Sequence, residues 1–350
     1  MKWKPILEPI GLYKPSMSMR DKAVCAAQKI KFNVYRRQVK KHRAGIKTRD
    51  LGPRVLIAAN GGIGNAVQAT PLVQAVRMHW PDSDITLLTS AGDLFENWCI
   101  PDTIIHTVDR IAGKTFDHTF LTFSAHWGKL AWMEKCDCGN VHRPGHYFDE
   151  VFLKPESQYN MDMIRKLGFK GPSPALYVSM KEKQDVLIQG RKQICFVPGS
   201  KPEPRWMHKR WPWYSRLAEI LIEKYPDCII YIIGTKDDPV DQSLLSAGYV
   251  KDLRGQLTLA ETAWVLKHVA LAVGNDCGPM HIADAVGSSG AIIFGPSCDL
   301  KNSPLNKVVS VYTELSCRPC QYNGPITCKN PDCISKITPQ QVIDAIQKML

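Results

Sequence analysis

The segment 269–296 constrains the fold most, because it combines a strand, a tight turn, a short helix and a second strand. The apolar run Val269–Val273 predicts a buried strand, and Gly274–Gly278 predicts the turn. Pro279 suits the first helical turn, where its missing N–H removes no hydrogen bond. Ala291–Phe294 predicts the next buried strand. Such alternation is typical of an α/β protein with a parallel sheet.

The same turn predicts an anion site. The backbone N–H groups of Cys277 and Gly278 would point, with the positive end of the helix, to one place beyond the strand. A phosphate or pyrophosphate fits there, with Asp276 and His281 beside it. The alternative is an ordinary strand–helix turn capped by Asp276. That alternative leaves His281 without a role.

The remaining chain repeats this strand–turn–helix pattern. Arg54–Asn60 predicts a strand, Gly61–Gly64 a glycine turn and Ala66–Met78 a helix. A second series of strand–turn–helix units begins with the predicted strand Ile194–Val197. It follows a stretch that is rich first in proline and then in charged residues. Two doubly wound halves therefore face a cleft. Ligands of such sheets bind at the carboxyl ends of the strands, so both turns are expected to line it.

Two Rossmann-like domains are expected, over residues 51–185 and 186–350, after an extension over residues 1–50. The first glycine turn resembles a dinucleotide fingerprint only loosely. An acidic residue roughly 20 positions further on would be expected to hold the ribose, and none is clearly placed. A nicotinamide-dependent dehydrogenase is therefore a poor fit.

The positive charge of the chain belongs to the extension. Residues 1–54 hold fifteen Lys or Arg and three acidic residues, a difference of +12 that equals the net charge of the whole chain. Apolar residues between Asp21 and Arg43 follow helical spacing, which suits an anionic membrane surface. A helix packed on the protein itself is the alternative. Nucleic acid is not expected as a partner, because no recognition motif accompanies the charge.

Neither a membrane-spanning helix nor a secretory signal is expected, because no long apolar run is present. The sequence thus predicts a cytoplasmic protein, peripheral at the inner membrane face if the extension docks there. Twelve cysteines in such a protein indicate reduced thiols or metal ligands.

Four of these cysteines lie within the loop 317–333. The spacing Cys317-x₂-Cys320-x₇-Cys328-x₄-Cys333 suits a tetrahedral four-thiolate site that would hold structural zinc or iron. Free or disulfide-bonded thiols are the alternative. A second group, Cys136 and Cys138 near His142 and His146, is more typical of a loop than of a metal site.

Several motifs together carry a family resemblance. They are the turn and helix start at 61–72 (GGIGN, then ATPL), PGS at 198–200 with a later K-x-W-P, and NDCGPMHIA at 275–283 followed by FGP. From about Arg54 to the C-terminus the chain resembles the ADP-heptose:lipopolysaccharide heptosyltransferases, glycosyltransferase family nine.

The resemblance implies a GT-B fold with the acceptor on the first domain and the sugar nucleotide on the second. It also implies transfer of heptose from ADP-heptose with inversion, in lipopolysaccharide biosynthesis and without a catalytic metal. By position, Lys209 would neutralise the donor phosphates and Asp276 would hold sugar hydroxyls. Ser200 would face the nucleotide. The remaining implied positions are Cys277, Gly278 and His281 at the diphosphate, and Gly62, Gly64 and Asn65 on the acceptor side.

Two positions depart from the family pattern. Asn65 stands where the family has the aspartate proposed as general base, and an amide cannot take the acceptor proton at neutral pH. Either Asn65 orients the acceptor, or the enzyme is impaired, or another residue is the base. Cys277 replaces a Thr or Ser, and a thiol is a poor hydrogen-bond donor. The alternative bases in the first domain are Asp93, Asp117, His126, His142 and His146.

The sequence therefore leaves a choice between functional classes. An inverting glycosyltransferase would turn over its nucleotide-sugar donor only with a glycan or protein acceptor. A catalytically impaired sugar-nucleotide-binding protein of the same fold would bind the donor without turning it over. An epimerase would convert the donor without any acceptor.

Overall fold

The computed structural model describes residues 52–123, 125, 130–144, 154–320, 328 and 331–349. The basic extension over residues 1–50 lies outside the described residues. Its predicted amphipathic helix and membrane contact therefore stay predictions.

The first half is built on a parallel sheet with the strand order β3-β2-β1-β4-β5. Its strands are β1 (Arg54–Ala59), β2 (Asp84–Thr89), β3 (Thr103–Ile105), β4 (His118–Leu121) and β5 (Asn140–His142). Its helices are α1 (Ile63–His79) and α2 (Glu156–Arg165), with 3₁₀ turns at Gly92–Phe95, Val108–Ile111 and Leu130–Lys135.

The second half has a parallel sheet with the order β11-β10-β9-β6-β7-β8. The strands are β6 (Gln193–Val197), β7 (Ile229–Ile232), β8 (Val250–Asp252), β9 (Leu271–Asn275), β10 (Gly290–Phe294) and β11 (Val308–Tyr312). The helices are α3 (Pro204–Met207), α4 (Tyr214–Lys224), α5 (Gln242–Leu245), α6 (Leu259–His268), α7 (Gly278–Ala285), α8 (Asp332–Ser335) and α9 (Pro339–Ile346).

Both sheets are doubly wound. In each half the first strand of the half (β1 or β6) lies beside the fourth (β4 or β9), and the chain reverses its winding direction between them. Ligands of open α/β sheets bind at the carboxyl ends of strands at this reversal. The two-sheet architecture confirms the predicted fold class. The predicted boundary between residues 185 and 186 stays a prediction.

The two halves share an apolar core. Helix α1 packs against α2 of its own half and against α7 of the other half. One cluster of buried side chains contains Leu72 and Val76 of α1 together with Met280 and Ile282 of α7. Within the described residues, none of the helices has the length and apolar content needed to cross a membrane.

Candidate functional site

The site lies where helices α1 and α7 begin opposite each other. A Cβ atom added at Gly64 would come within 2.4 Å of His281 Cδ2, and one added at Gly278 would come within 2.7 Å of Ile63 Cβ. Neither glycine leaves room for a side chain. The turn after β1 and the turn after β9 are therefore in direct contact, and the predicted acceptor-side and donor-side residues form one site.

Asp276 is the centre of the predicted donor side. Its carboxylate is buried and accepts hydrogen bonds from Lys209 Nζ at 2.6 Å and Asn302 Nδ2 at 2.8 Å, and His281 Nε2 lies 3.6 Å from its other oxygen. Burial by itself raises the pKa of Asp276, but Lys209 and His281 outweigh burial and hold that pKa well below its ordinary value. Asp276 is therefore ionised, and it holds a buried ammonium group beside the start of α7.

The start of α7 provides further positive potential. Cys277 occupies the N-cap position in an extended conformation, and its side chain makes no capping hydrogen bond. The first N–H groups of a helix have no intrahelical acceptors and attract anions. Burial raises the pKa of the Cys277 thiol to about 12, so the thiol is neutral and adds no negative charge. Lys209 and this helix end together suit a diphosphate.

Asn275 is a part of the donor side that the sequence reasoning missed. Its buried side chain accepts hydrogen bonds from Trp211 N at 3.1 Å and Tyr214 Oη at 3.0 Å. Its amide group donates to the Pro198 carbonyl at 2.5 Å. Asn275 thereby ties the loop after β6 and the segment carrying Lys209 to the end of β9. A buried Asn in a strand–helix turn could have indicated this role.

Ser200 lies in the loop that follows β6. Its hydroxyl accepts a hydrogen bond from Arg210 Nε at 3.1 Å, and Arg210 Nη2 lies 3.9 Å from Asp238 Oδ1. This position is at the same carboxyl edge of the sheet as Asp276. The contact of Ser200 with a nucleotide stays a prediction.

On the acceptor side, Asn65 contacts a carboxylate that the sequence reasoning did not identify. Asn65 Nδ2 donates to both Glu156 oxygens, at 2.9 and 2.7 Å. Lys301 Nζ lies 2.6 Å from Glu156 Oε2, and both residues of this ion pair are buried. Glu156 begins α2 in the first half, whereas Lys301 follows β10 in the second. Their pairing depends on the tertiary structure and has no local sequence signal.

Two of the alternative bases lie away from this site. Asp117 precedes β4, at the amino edge of the sheet, where its carboxylate accepts hydrogen bonds from Arg54. His142 is bonded to His118, the first residue of β4, at 2.9 Å. Asp93 accepts a hydrogen bond from the Ala260 backbone at 3.2 Å. The other two candidates, His126 and His146, lie outside the described residues.

The predicted four-cysteine metal site is not formed. Burial and the neighbouring thiols raise the pKa of Cys333, to about 12, and that of Cys320, so these thiols lie near one another. Among the described residues, which include all four cysteines of the loop, no three His, Cys, Asp or Glu side chains are arranged to hold a metal ion. Cys136 and Cys138 lie in contact, with their sulfurs 3.2 Å apart.

Comparisons with known proteins identify relatives of this chain. Residues 165–329 match the model of glycosyltransferase family 9 (heptosyltransferase). Lipooligosaccharide heptosyltransferase 2 of Haemophilus ducreyi is 33% identical over 322 residues, which cover 73% of this chain and 86% of that protein.

Solved structures show the same fold. The glycosyl transferase family 9 structure from Veillonella parvula has a TM-score of 0.67 and 18% identity, over 85% of this chain and 97% of that one. The E. coli heptosyltransferase WaaC with ADP-2-deoxy-2-fluoro heptose has a TM-score of 0.59 and 13% identity, over 85% of this chain and 100% of that one. With the GT-B fold and a relative of this identity matched over most of its length, the chain belongs to glycosyltransferase family 9, the heptosyltransferases.

Proposed function

We propose that this protein transfers heptose from ADP-heptose to an acceptor of the bacterial cell envelope, with inversion at the anomeric carbon. The observation that carries the proposal is the convergence of Lys209, Asp276 and the start of α7 at one point. Relatives named as lipooligosaccharide heptosyltransferases, and a neighbour solved with a fluorinated ADP-heptose, support the choice of donor.

The donor diphosphate would lie against the start of α7. When the bond between the sugar and the diphosphate breaks, negative charge develops on the β-phosphate. Lys209 and the N–H groups around Gly278 are preorganised to stabilise that charge. Asp276, held by Asn302 and His281, would face the sugar and accept hydrogen bonds from its hydroxyls.

The acceptor would enter from the first half, beside the glycine turn and Asn65. Its hydroxyl oxygen would attack the anomeric carbon from the face opposite the diphosphate, because the diphosphate occupies the α7 side of the site. A single displacement of this kind inverts the configuration. The acceptor could be a glycan or a protein side chain, and lipooligosaccharide relatives favour a glycan.

The test is donor turnover by the full-length protein. ADP release from ADP-heptose is measured with and without a deacylated lipopolysaccharide core acceptor, for wild type, Lys209→Met and Lys224→Met. Lys224 lies exposed on α4, so its variant controls for loss of a positive charge. We expect acceptor-dependent release by wild type and Lys224→Met, and a loss of about 10²-fold or more in Lys209→Met.

Acceptor-independent conversion of the donor would instead indicate an epimerase. Tight ADP binding without any release would indicate the impaired sugar-nucleotide-binding protein, which the amide at Asn65 keeps as the second candidate. Equal activity of Lys209→Met and wild type would contradict the proposed role of the ammonium group.

A further inference from the structure

We propose that Glu156 is a positioning residue that fixes the Asn65 amide with its carbonyl oxygen towards the acceptor. The inference rests on the proposed transferase function. It assigns roles to Glu156 and Lys301, and it explains how a chain with an amide at position 65 presents a hydrogen-bond acceptor to the incoming hydroxyl.

The orientation of the amide follows from the chemistry of its partner. An ionised carboxylate only accepts hydrogen bonds, so the group that faces Glu156 must be the Asn65 NH₂. The distances of 2.9 and 2.7 Å to the two Glu156 oxygens fit this assignment. Asn65 Oδ1 consequently points away from Glu156.

Asn65 Oδ1 points to the glycine turn. A Cβ atom at Gly62 would lie 3.3 Å from this oxygen, which places Oδ1 beside the turn where the acceptor is expected. Among the described residues, no donor is bonded to Asn65 Oδ1. An acceptor hydroxyl that donates to Oδ1 would have a lone pair of its own oxygen free to attack the sugar. As the new carbon–oxygen bond forms, the bond to the diphosphate breaks and ADP leaves, and the hydroxyl proton passes to water, because the amide orients this proton but does not take it.

Lys301 balances the charge of the buried Glu156 carboxylate. The residue Glu156 is only 1% exposed, and a carboxylate at such depth needs a partner to balance its charge. Lys301 Nζ supplies it at 2.6 Å, and the Glu156 backbone N–H donates to the Lys301 carbonyl at 2.9 Å. A carboxylate held in this way also polarises the amide it accepts from, which makes Oδ1 a better acceptor.

The same loop reaches the donor side. Lys301 binds Glu156, and the next residue, Asn302, donates to Asp276 Oδ2 at 2.8 Å. The Asn65 amide contacts Glu156, and Glu156 is connected to the Asp276 carboxylate through the consecutive residues 301 and 302.

Restoring the family's aspartate at position 65 is not expected to raise the activity of this protein. In Asn65→Asp, two carboxylates would lie within hydrogen-bond distance, and like charges at that distance cannot both ionise without a large cost. The single variant is therefore expected to be no more active than wild type. The exchange Asn65→Asp/Glu156→Gln keeps one carboxylate and one amide in contact, with the carboxylate now beside the acceptor.

The experiment compares wild type with Glu156→Gln, Asn65→Asp and the exchange variant. The control is Glu219→Gln, a change of the same type on the exposed face of α4. Thermal unfolding and ADP binding by calorimetry confirm folding. If Glu156→Gln alone does not fold, Glu156→Gln/Lys301→Met also removes the ammonium group that faces position 156. We expect Glu156→Gln to lower kcat about 10- to 100-fold with the Kd for ADP unchanged, as for a misplaced reactant.

The exchange variant is expected to return kcat to within about threefold of wild type and to add an acidic limb to the pH profile. Glu156→Gln with wild-type kcat, or Asn65→Asp alone more active than the exchange variant, would overturn the inference. The Asn65 side-chain resonance in an asparagine-labelled sample gives a readout independent of turnover, and it should shift in Glu156→Gln. Absence of ADP release from every variant and wild type would contradict the proposed function, while an unshifted resonance would contradict the orientation of the amide.

Discussion

Replacing Gly64 with alanine tests the contact between the two halves of the site. An added Cβ would lie 2.4 Å from His281 Cδ2 and 3.2 Å from His281 Nε2, whereas carbon atoms in favourable contact are about 3.5–4.0 Å apart. The imidazole ring must therefore move by about 1 Å. Such a shift also moves Nε2 relative to Asp276, from which it lies 3.6 Å.

The energetic result combines two opposing effects. Overpacking a tight contact costs about 1–3 kcal/mol, while Gly→Ala inside a helix gains up to about 1 kcal/mol. We expect the free energy of unfolding to fall by about 0–3 kcal/mol. The Kd for ADP should rise about tenfold, because displacement of the His281 ring disturbs the predicted donor side. Calorimetric titration with ADP and thermal unfolding measure both quantities.

Gly248→Ala is the matched control, because no heavy atom lies within 4 Å of a Cβ at Gly248. It should keep the wild-type Kd for ADP and at least the wild-type stability. A Gly64→Ala variant whose Kd for ADP stays within twofold of wild type would refute the contact between α1 and His281.

The other predictions concern the buried charge and the start of α7. Asp276→Asn should destabilise the protein by about 3–5 kcal/mol at neutral pH, because it leaves Lys209 buried without its partner. Since the folded pKa of Asp276 is below its ordinary value of 3.8, its stabilisation is complete above that value and is lost as the pH falls further. Denaturation measured from about pH 5 down to about pH 2 should thus show a steeper loss of stability for wild type than for Asp276→Asn, and parallel curves over this range would contradict the pairing. Cys277→Ser should raise the free energy of unfolding in urea by about 1 kcal/mol, because a serine at this N-cap can accept from a helix N–H. An unchanged urea midpoint would show that no cap forms.

The sequence predicted the fold well because its elements are periodic and clearly bounded. The predicted helix Ala66–Met78 lies within α1, which spans Ile63–His79. The predicted strand Val269–Val273 is shifted to Leu271–Asn275, because the turn begins only after Asn275. Ends of elements depend on backbone pairing across the sheet, which local patterning does not specify.

The candidate site was predictable on the donor side and much less so on the acceptor side. Asp276 and His281 lie in one continuous motif, and their proximity follows from a single strand–turn–helix. Glu156 and Lys301 were missed, because their 145-residue separation hides the pairing and neither belongs to a recognisable motif. The four-cysteine spacing predicted a metal site, but among the described residues no three such side chains are arranged to hold a metal ion, because close spacing alone does not fix where the thiols point.

The configuration of the transferred sugar tests the account most directly. Wild-type protein, ADP-heptose of known anomeric configuration and a lipopolysaccharide core acceptor are incubated together, and the product is examined by NMR. We predict a heptosylated acceptor with the opposite anomeric configuration, formed in equal amount with ADP. Retention of configuration, release of free heptose without acceptor modification, or an unchanged donor would contradict inverting transfer at this site.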